Sequence, residues 1–93
     1  MNFTWDENKR QVNLQKHGID FEDVVEIFNG PMLTRLDTRE DYGEDRWIGI
    51  GIIKQRVIVV AYTERNNGDT IRIISARKAL KHEEKFYKEG VSY

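Results

Sequence analysis

Cysteine is absent from the chain. That excludes a disulfide framework, a thiolate zinc site and a thiol nucleophile. Proline occurs once, at Pro31, and fixes a single extended turn of chain. Long apolar runs are missing too, none approaching the roughly 18 residues of a membrane span. No membrane association is therefore expected, and a cytoplasmic location is. Charge of one sign is also lacking: 15 basic against 16 acidic residues leave −1 over 93 residues. A chain of that length has room for one core, so residues 1–93 read as a single domain. Two Trp, four Tyr and four Phe argue that it folds.

The near-neutral total conceals two opposed halves. Residues 1–47 carry 6 basic and 11 acidic side chains, whereas residues 48–93 carry 9 basic and 5 acidic. The stretch 48–82 alone stands at 7 against 2. Segregation of this kind points to a polyanionic partner for the basic half.

The opening predicts a surface helix running to Lys16 or His17, with Gly18 behind it. Thr4 and Glu7 fit a capping box, and Asp6 is a competing cap. Asp20 begins a second, shorter helix whose Phe21, Val24, Val25 and Phe28 form a buried stripe, stopped by Asn29-Gly30-Pro31. Four strands are predicted next, over Met32–Asp37, Arg46–Ile53, Val57–Arg65 and Thr70–Ser75. Lys54-Gln55 and Asn67-Gly68 supply hairpin turns. The third strand is apolar enough to be central and covered on both faces. Ser75 caps a last helix from Ala76 to about Lys88, ended by Gly90, with Ala76, Ala79, Leu80, Glu83, Phe86 and Tyr87 on one side. The expected order is α-α-β-β-β-β-α: an α+β fold with a four-stranded antiparallel sheet. Gly49 and Gly51 lie on one face of the second strand and predict curvature with a helix pressed close.

Arginines carry the chemistry. Arg46 and Arg65 are expected at one end of the sheet, because a two-residue turn joins their strands and brings the start of one beside the end of the other. Arg77, in the expected first turn of the last helix, is either a carboxylate partner or a phosphate ligand. Arg72 interrupts an apolar strand and reads as a solvated residue. His17 sits at a helix C-terminus, where its cation is favoured. Two separated histidines cannot supply a three-histidine metal site, and Glu40, Asp41, Glu44 and Asp45 lack calcium-loop spacing. No metal or other cofactor is expected. Composition and spacing leave nucleic-acid handling and protein partnership open.

Three stretches carry a family resemblance. Phe3-x-Trp5-Asp6-x-x-Lys9-x-x-x-Asn13-x-x-Lys16-His17-Gly18-Ile19-x-Phe21 comes first. Glu44-x-Arg46, a strand glycine and Thr63-x-Arg65 come second. Arg72-Ile73-Ile74-Ser75-Ala76-Arg77-x-Ala79 with Glu83 and Tyr87 closes the set. In order and spacing they resemble the BrnT-type toxins. The resemblance implies a curved, RelE-like antiparallel sheet with helices on it. It implies an RNA endonuclease that inhibits translation as the toxin of a type II toxin–antitoxin pair. It also implies a BrnA-like ribbon-helix-helix antitoxin that binds operator DNA, with a dimer of heterodimers expected. The alternative is a non-catalytic corepressor module that binds the antitoxin only.

Cleavage of RNA through its own 2′-OH needs charge stabilisation at phosphorus and proton transfer, and no metal. Arg65 and Arg77 are the expected phosphate ligands, with Arg46 and His17 next. Glu64 is a possible acid or base. Glu44 and Glu83 are expected to orient arginines. Arg72, Lys54, Lys78 and Lys81 are expected to touch the RNA backbone. Trp5 and Phe21 read as core.

Overall fold

The structure, a computed structural model, describes residues 1–91. It begins with a short strand, β1 (Asn2–Thr4), rather than with the cap of a helix. Thr4 therefore caps nothing. Asp6 is the N-cap of α1 (Glu7–His17), accepting from the Lys9 backbone N–H, and Gly18 closes that helix in the left-handed conformation. Asp20 caps α2 (Phe21–Val24), which tightens into a 3-10 turn over Val25–Asn29. Strands β2 (Leu33–Leu36), β3 (Trp47–Ile53), β4 (Arg56–Arg65) and β5 (Thr70–Lys78) follow, and α3 (Lys81–Val91) ends the described chain.

The sheet has five strands, in the order β1-β5-β4-β3-β2. The expected four form an antiparallel meander; the fifth, β1, pairs parallel to the start of β5. Three residues are too few to show alternation, and a capping-box pattern overlapped them. Past Arg72, β5 has no strand on that side. Asn13 of α1 takes the strand's place: its Oδ1 accepts from the Ala76 N–H at 3.0 Å, and its Nδ2 donates to the Ile19 carbonyl at 2.9 Å. Both bonds are buried, so a helix side chain closes the edge of the sheet.

One face of the sheet carries Ile53, Ile58, Val60, Tyr62, Ile71, Ile73 and Ala76, covered by Ile19, Phe21, Val24 and Ile27. Trp5 packs against this core, edge-on to Phe21. Gly51 lies where the 3-10 turn presses in: a Cβ there would collide with Ile27. The expected close approach at the strand glycines is thus present. The opposite face is only half covered. There α3 lays Tyr87 and Val91 over Val57, Val59, Leu33, Ile48 and Ile50, and the Tyr87 hydroxyl donates to the Pro31 carbonyl at 2.9 Å. Strand β4 is central, with Val57, Ile58, Val59 and Val60 all buried.

The last helix departs most from expectation. Strand β5 continues through Lys78, so Ser75, Ala76 and Arg77 are strand residues and α3 starts only at Lys81. The strand persists because Ala76, Arg77 and Lys78 pair with Val60, Val59 and Ile58. Helix α3 runs on through Gly90, whose lack of a Cβ leaves room for the Leu33 methyl groups. Leu80 and Phe86, expected on its packed side, are exposed.

The register of β5 shifts between Ala61 and Tyr62 of β4: Ser75 faces Ala61 while Ile73 faces Tyr62, which leaves Ile74 as an extra residue. Five positions separate Arg72 from Arg77, which in a regular strand would set them on opposite faces. The bulge brings both to the half-covered face, in register with Thr63 and Val59 respectively.

Candidate active site

The uncovered half of that face forms a cleft of about 140 Å³, lined by His17, Arg35, Arg39, Ile48, Val59, Ala61, Ser75, Ala76, Arg77 and Glu83. Each polar wall comes from a different element. Arg35 pairs with Ile48 across β2 and β3, Arg77 faces Val59 on β5, and His17 ends α1. Glu83 enters from the first turn of α3 and Arg39 from the loop between β2 and β3. The volume lies below the usual range for a small-molecule pocket. It suits a phosphodiester with its nucleosides lying outside.

Arg77 and Glu83 form a two-pronged pair, Nη1 to Oε1 at 2.7 Å and Nη2 to Oε2 at 2.9 Å. Oε1 also accepts the Leu80 N–H, the backward half of a capping box at the start of α3. The guanidinium holds the Glu83 carboxyl down at about 2, against a smaller opposing effect of burial. Glu83 in turn raises the Arg77 pKa, while the nearby Arg39 cation lowers it. The Arg77 Nε–H and one Nη2 proton remain uncommitted among the described residues.

Asp37 holds the other side. Its backbone N–H donates to the Arg46 carbonyl at 2.7 Å, which pins it to the sheet beyond β2. Its carboxylate accepts Arg39 Nε at 2.9 Å, Arg39 Nη2 at 2.8 Å and the Tyr42 hydroxyl at 3.2 Å. Arg39, first among these donors, holds the Asp37 pKa well below the usual carboxylate range. Tyr42 carries Arg46 over its ring, 4.0 Å from the centroid. Arg35 has no ion-pair partner among the described residues.

The cleft thus unites His17, Arg77 and Glu83 of the residues expected from sequence and adds Arg35 and Arg39. Arg77 reaches it from a strand, not from a helix N-terminus. Arg46 and Arg72 share the cleft's face of the sheet one row beyond, flanking the buried Thr63. Arg46 Nε and Thr63 Oγ1 are buried there without a hydrogen-bond partner among the described residues. Arg46 and Arg65 do lie toward one end. Arg65, however, is six residues along β4 from the position facing Arg77, about 20 Å away at strand rise. It is paired with Glu44 at 3.3 Å.

Glu64 pairs with the core residue Ile71, so it projects from the other face. Lys54 sits in the β3–β4 turn with a positive φ, and Lys78 pairs with Ile58 on the core-facing side. Lys81 opens α3. None of these four lines the cleft. Arg35 and Arg39 had no distinguishing mark in the sequence, for both belong to its acidic half.

The family model described as "Ribonuclease toxin, BrnT, of type II toxin-antitoxin system" matches residues 5–83. A crystal structure of the Brucella abortus ribonuclease toxin BrnT superposes with a TM-score of 0.67 at 31% identity, covering 87% of this chain and 99% of that one. No curated protein sequence gives a significant match.

Proposed function

The chain belongs to the BrnT family of ribonuclease toxins of type II toxin–antitoxin systems, and from that membership we propose that it cleaves RNA endonucleolytically in the cleft under Arg77. The observation that carries this reading is the two-pronged Arg77–Glu83 pair in a cleft with two further guanidiniums and an imidazole. Glu83 and Asp37 offset two of the three arginines, and Arg35, without an ion-pair partner among the described residues, leaves the cleft with an excess of positive charge that attracts an anion. A phosphodiester supplies that anion.

In the proposed reaction the 2′-oxygen attacks the adjacent phosphorus, a cyclic phosphate forms and the 5′-oxygen leaves. Arg77, oriented by Glu83, directs its free Nε–H and Nη2–H at the non-bridging oxygens, where charge grows in the transition state. His17, on the rim, takes the 2′-OH proton or returns one to the leaving oxygen. Arg46 and Arg72 extend the basic face for the RNA backbone, with Arg65 and Glu44 at its far end. Lys54, Lys78, Lys81 and Glu64 stand apart from this track.

The partner in this reading is a BrnA-like ribbon-helix-helix antitoxin, in a cytoplasmic dimer of heterodimers that binds operator DNA. The fold is RelE-like in the sense of a curved antiparallel meander with helices on both faces.

The test is incubation of the purified chain with RNA beside Arg77→Ala and Arg77→Lys. We expect 2′,3′-cyclic phosphate ends from wild type. The Ala variant should lose at least about a hundredfold in rate, as for removal of one oxyanion donor. The Lys variant should recover only part, since it lacks the planar fork. A folded wild-type protein that leaves RNA intact would refute the reading and favour a corepressor role.

A further inference from the structure

Arg39 is held in a way its position does not require. It lies on a connecting loop with its side chain 69% exposed, whereas the Asp37 carboxylate it binds is only 2% exposed. A loop arginine free in water gains little from an ion pair. This one is gripped through Nε and Nη2, with its backbone N–H on the same carboxylate at 3.2 Å. Both Nη1 protons and one Nη2 proton are without a partner among the described residues, at the cleft. The arrangement echoes Arg77 on Glu83: a carboxylate behind a guanidinium whose remaining donors are turned to one small space. The Arg39 cation is thereby held where it opposes the charge of Arg77, an arrangement that an anion bound at both guanidiniums relieves.

We propose that Asp37 is a positioning residue that presents Arg39 as a second phosphate-binding guanidinium beside Arg77. The inference rests on the phosphodiester reading of the cleft. Tyr42, bound to the same carboxylate and stacked on Arg46, ties the next arginine along the face to the same anchor. One buried carboxylate thereby sets the geometry of two cations from a stretch of chain with no regular secondary structure.

The test is a double-mutant cycle read by binding. The probe is a fluorescently labelled single-stranded RNA oligonucleotide with 2′-O-methyl riboses, which cannot be cleaved through its own sugar. Anisotropy is measured at one fixed salt concentration. Arg39→Ala should weaken binding by about tenfold or more, as expected for charge-assisted hydrogen bonds to phosphate. Asp37→Asn should weaken it several-fold in the wild-type background and clearly less when Arg39 is already Ala, where only the hold on Tyr42 and Arg46 remains to be lost. Asp37→Glu keeps the charge but displaces it by one methylene. It serves where the Asn variant does not fold, and its effect should likewise shrink in the Arg39→Ala background.

Unchanged binding by Arg39→Ala overturns the proposal. So does an Asp37 effect of equal size in both backgrounds, which would make Asp37 structural only. Cleavage of unmodified RNA is followed in parallel. Wild type that binds the probe but does not cleave refutes the nuclease reading and leaves the cycle to decide the positioning role. Wild type that cleaves while the cycle is flat refutes the positioning role alone.

Discussion

Replacing Asn13 by Ala should cost this protein a large part of its stability, although Ala is the better helix former. Asn13 is buried in α1 and makes two hydrogen bonds, to the Ile19 carbonyl and from the Ala76 N–H. Helix propensity favours Ala by up to about 0.7 kcal/mol. Against that, truncation orphans a buried carbonyl at the end of the α1–α2 connection and a buried N–H on the edge of β5. Each costs about 1–3 kcal/mol, so the net loss should be about 2–4 kcal/mol after partial relaxation. At typical stability per residue a 93-residue domain has about 5–14 kcal/mol in all. The expected fall in melting temperature is about 10–25 °C. Urea unfolding measures the loss, and amide hydrogen exchange locates it: the Ala76 N–H, protected in wild type, should exchange at the rate of a frayed strand edge. A variant as stable as wild type, with Ala76 still protected, would refute the idea that a helix side chain closes this sheet.

Two further outcomes follow from the packing and the charges. Gly51→Ala should destabilise by about 1–3 kcal/mol in urea unfolding, because its methyl meets Ile27 across a filled core rather than a flexible chain end. Acid should weaken the wild type through the carboxylates bound to arginines. Glu83 has its folded pKa depressed to about 2, so its contribution is complete above its unfolded value of about 4.3 and is lost as pH falls toward 2. Glu83→Gln should therefore flatten the stability profile between those limits, with the gap to wild type closing at the acid end. A parallel offset at every pH would argue against the pairing with Arg77.

Much of the fold was legible. The caps at Asp6 and Asp20, the stop at Pro31, the two hairpin turns and the apolar run of β4 are local signals, and each acts locally in the structure. The site was less so. Arg77 was found as a residue but misplaced on a helix, since Ala76-Arg77-Lys78 favours a helix until its pairing with β4 is known. One trace of that pairing was present: core positions at Ile71, Ile73 and then Ala76 are spaced by two and then three, the mark of a bulge. Arg39 and Asp37 left no such trace. Their partnership depends on how a loop folds back over the sheet, and the segment charge count pointed away from them. Asn13, a residue of low helix propensity in the interior of α1, was a visible anomaly whose cause lay 63 residues downstream.

The bulge at Ile74 gives the length of chain between Arg72 and Arg77 a stereochemical meaning. With the same five-residue spacing but no bulge, the ladder from β4 would pair Arg77 with Ile58 and turn it to the apolar side; with one residue fewer, the ladder would run unbroken and leave both arginines on the cleft's face. An aligned relative with a one-residue gap here therefore keeps both arginines on one face by losing the bulge, whereas one with the full spacing must keep the bulge to do so. Gaps in the turn at Asn66–Asp69 carry no such information, since a turn absorbs length without changing which face a strand presents. Within this short sheet, the bulge and the spacing between Arg72 and Arg77 are inherited together, alongside the identity of the two arginines themselves.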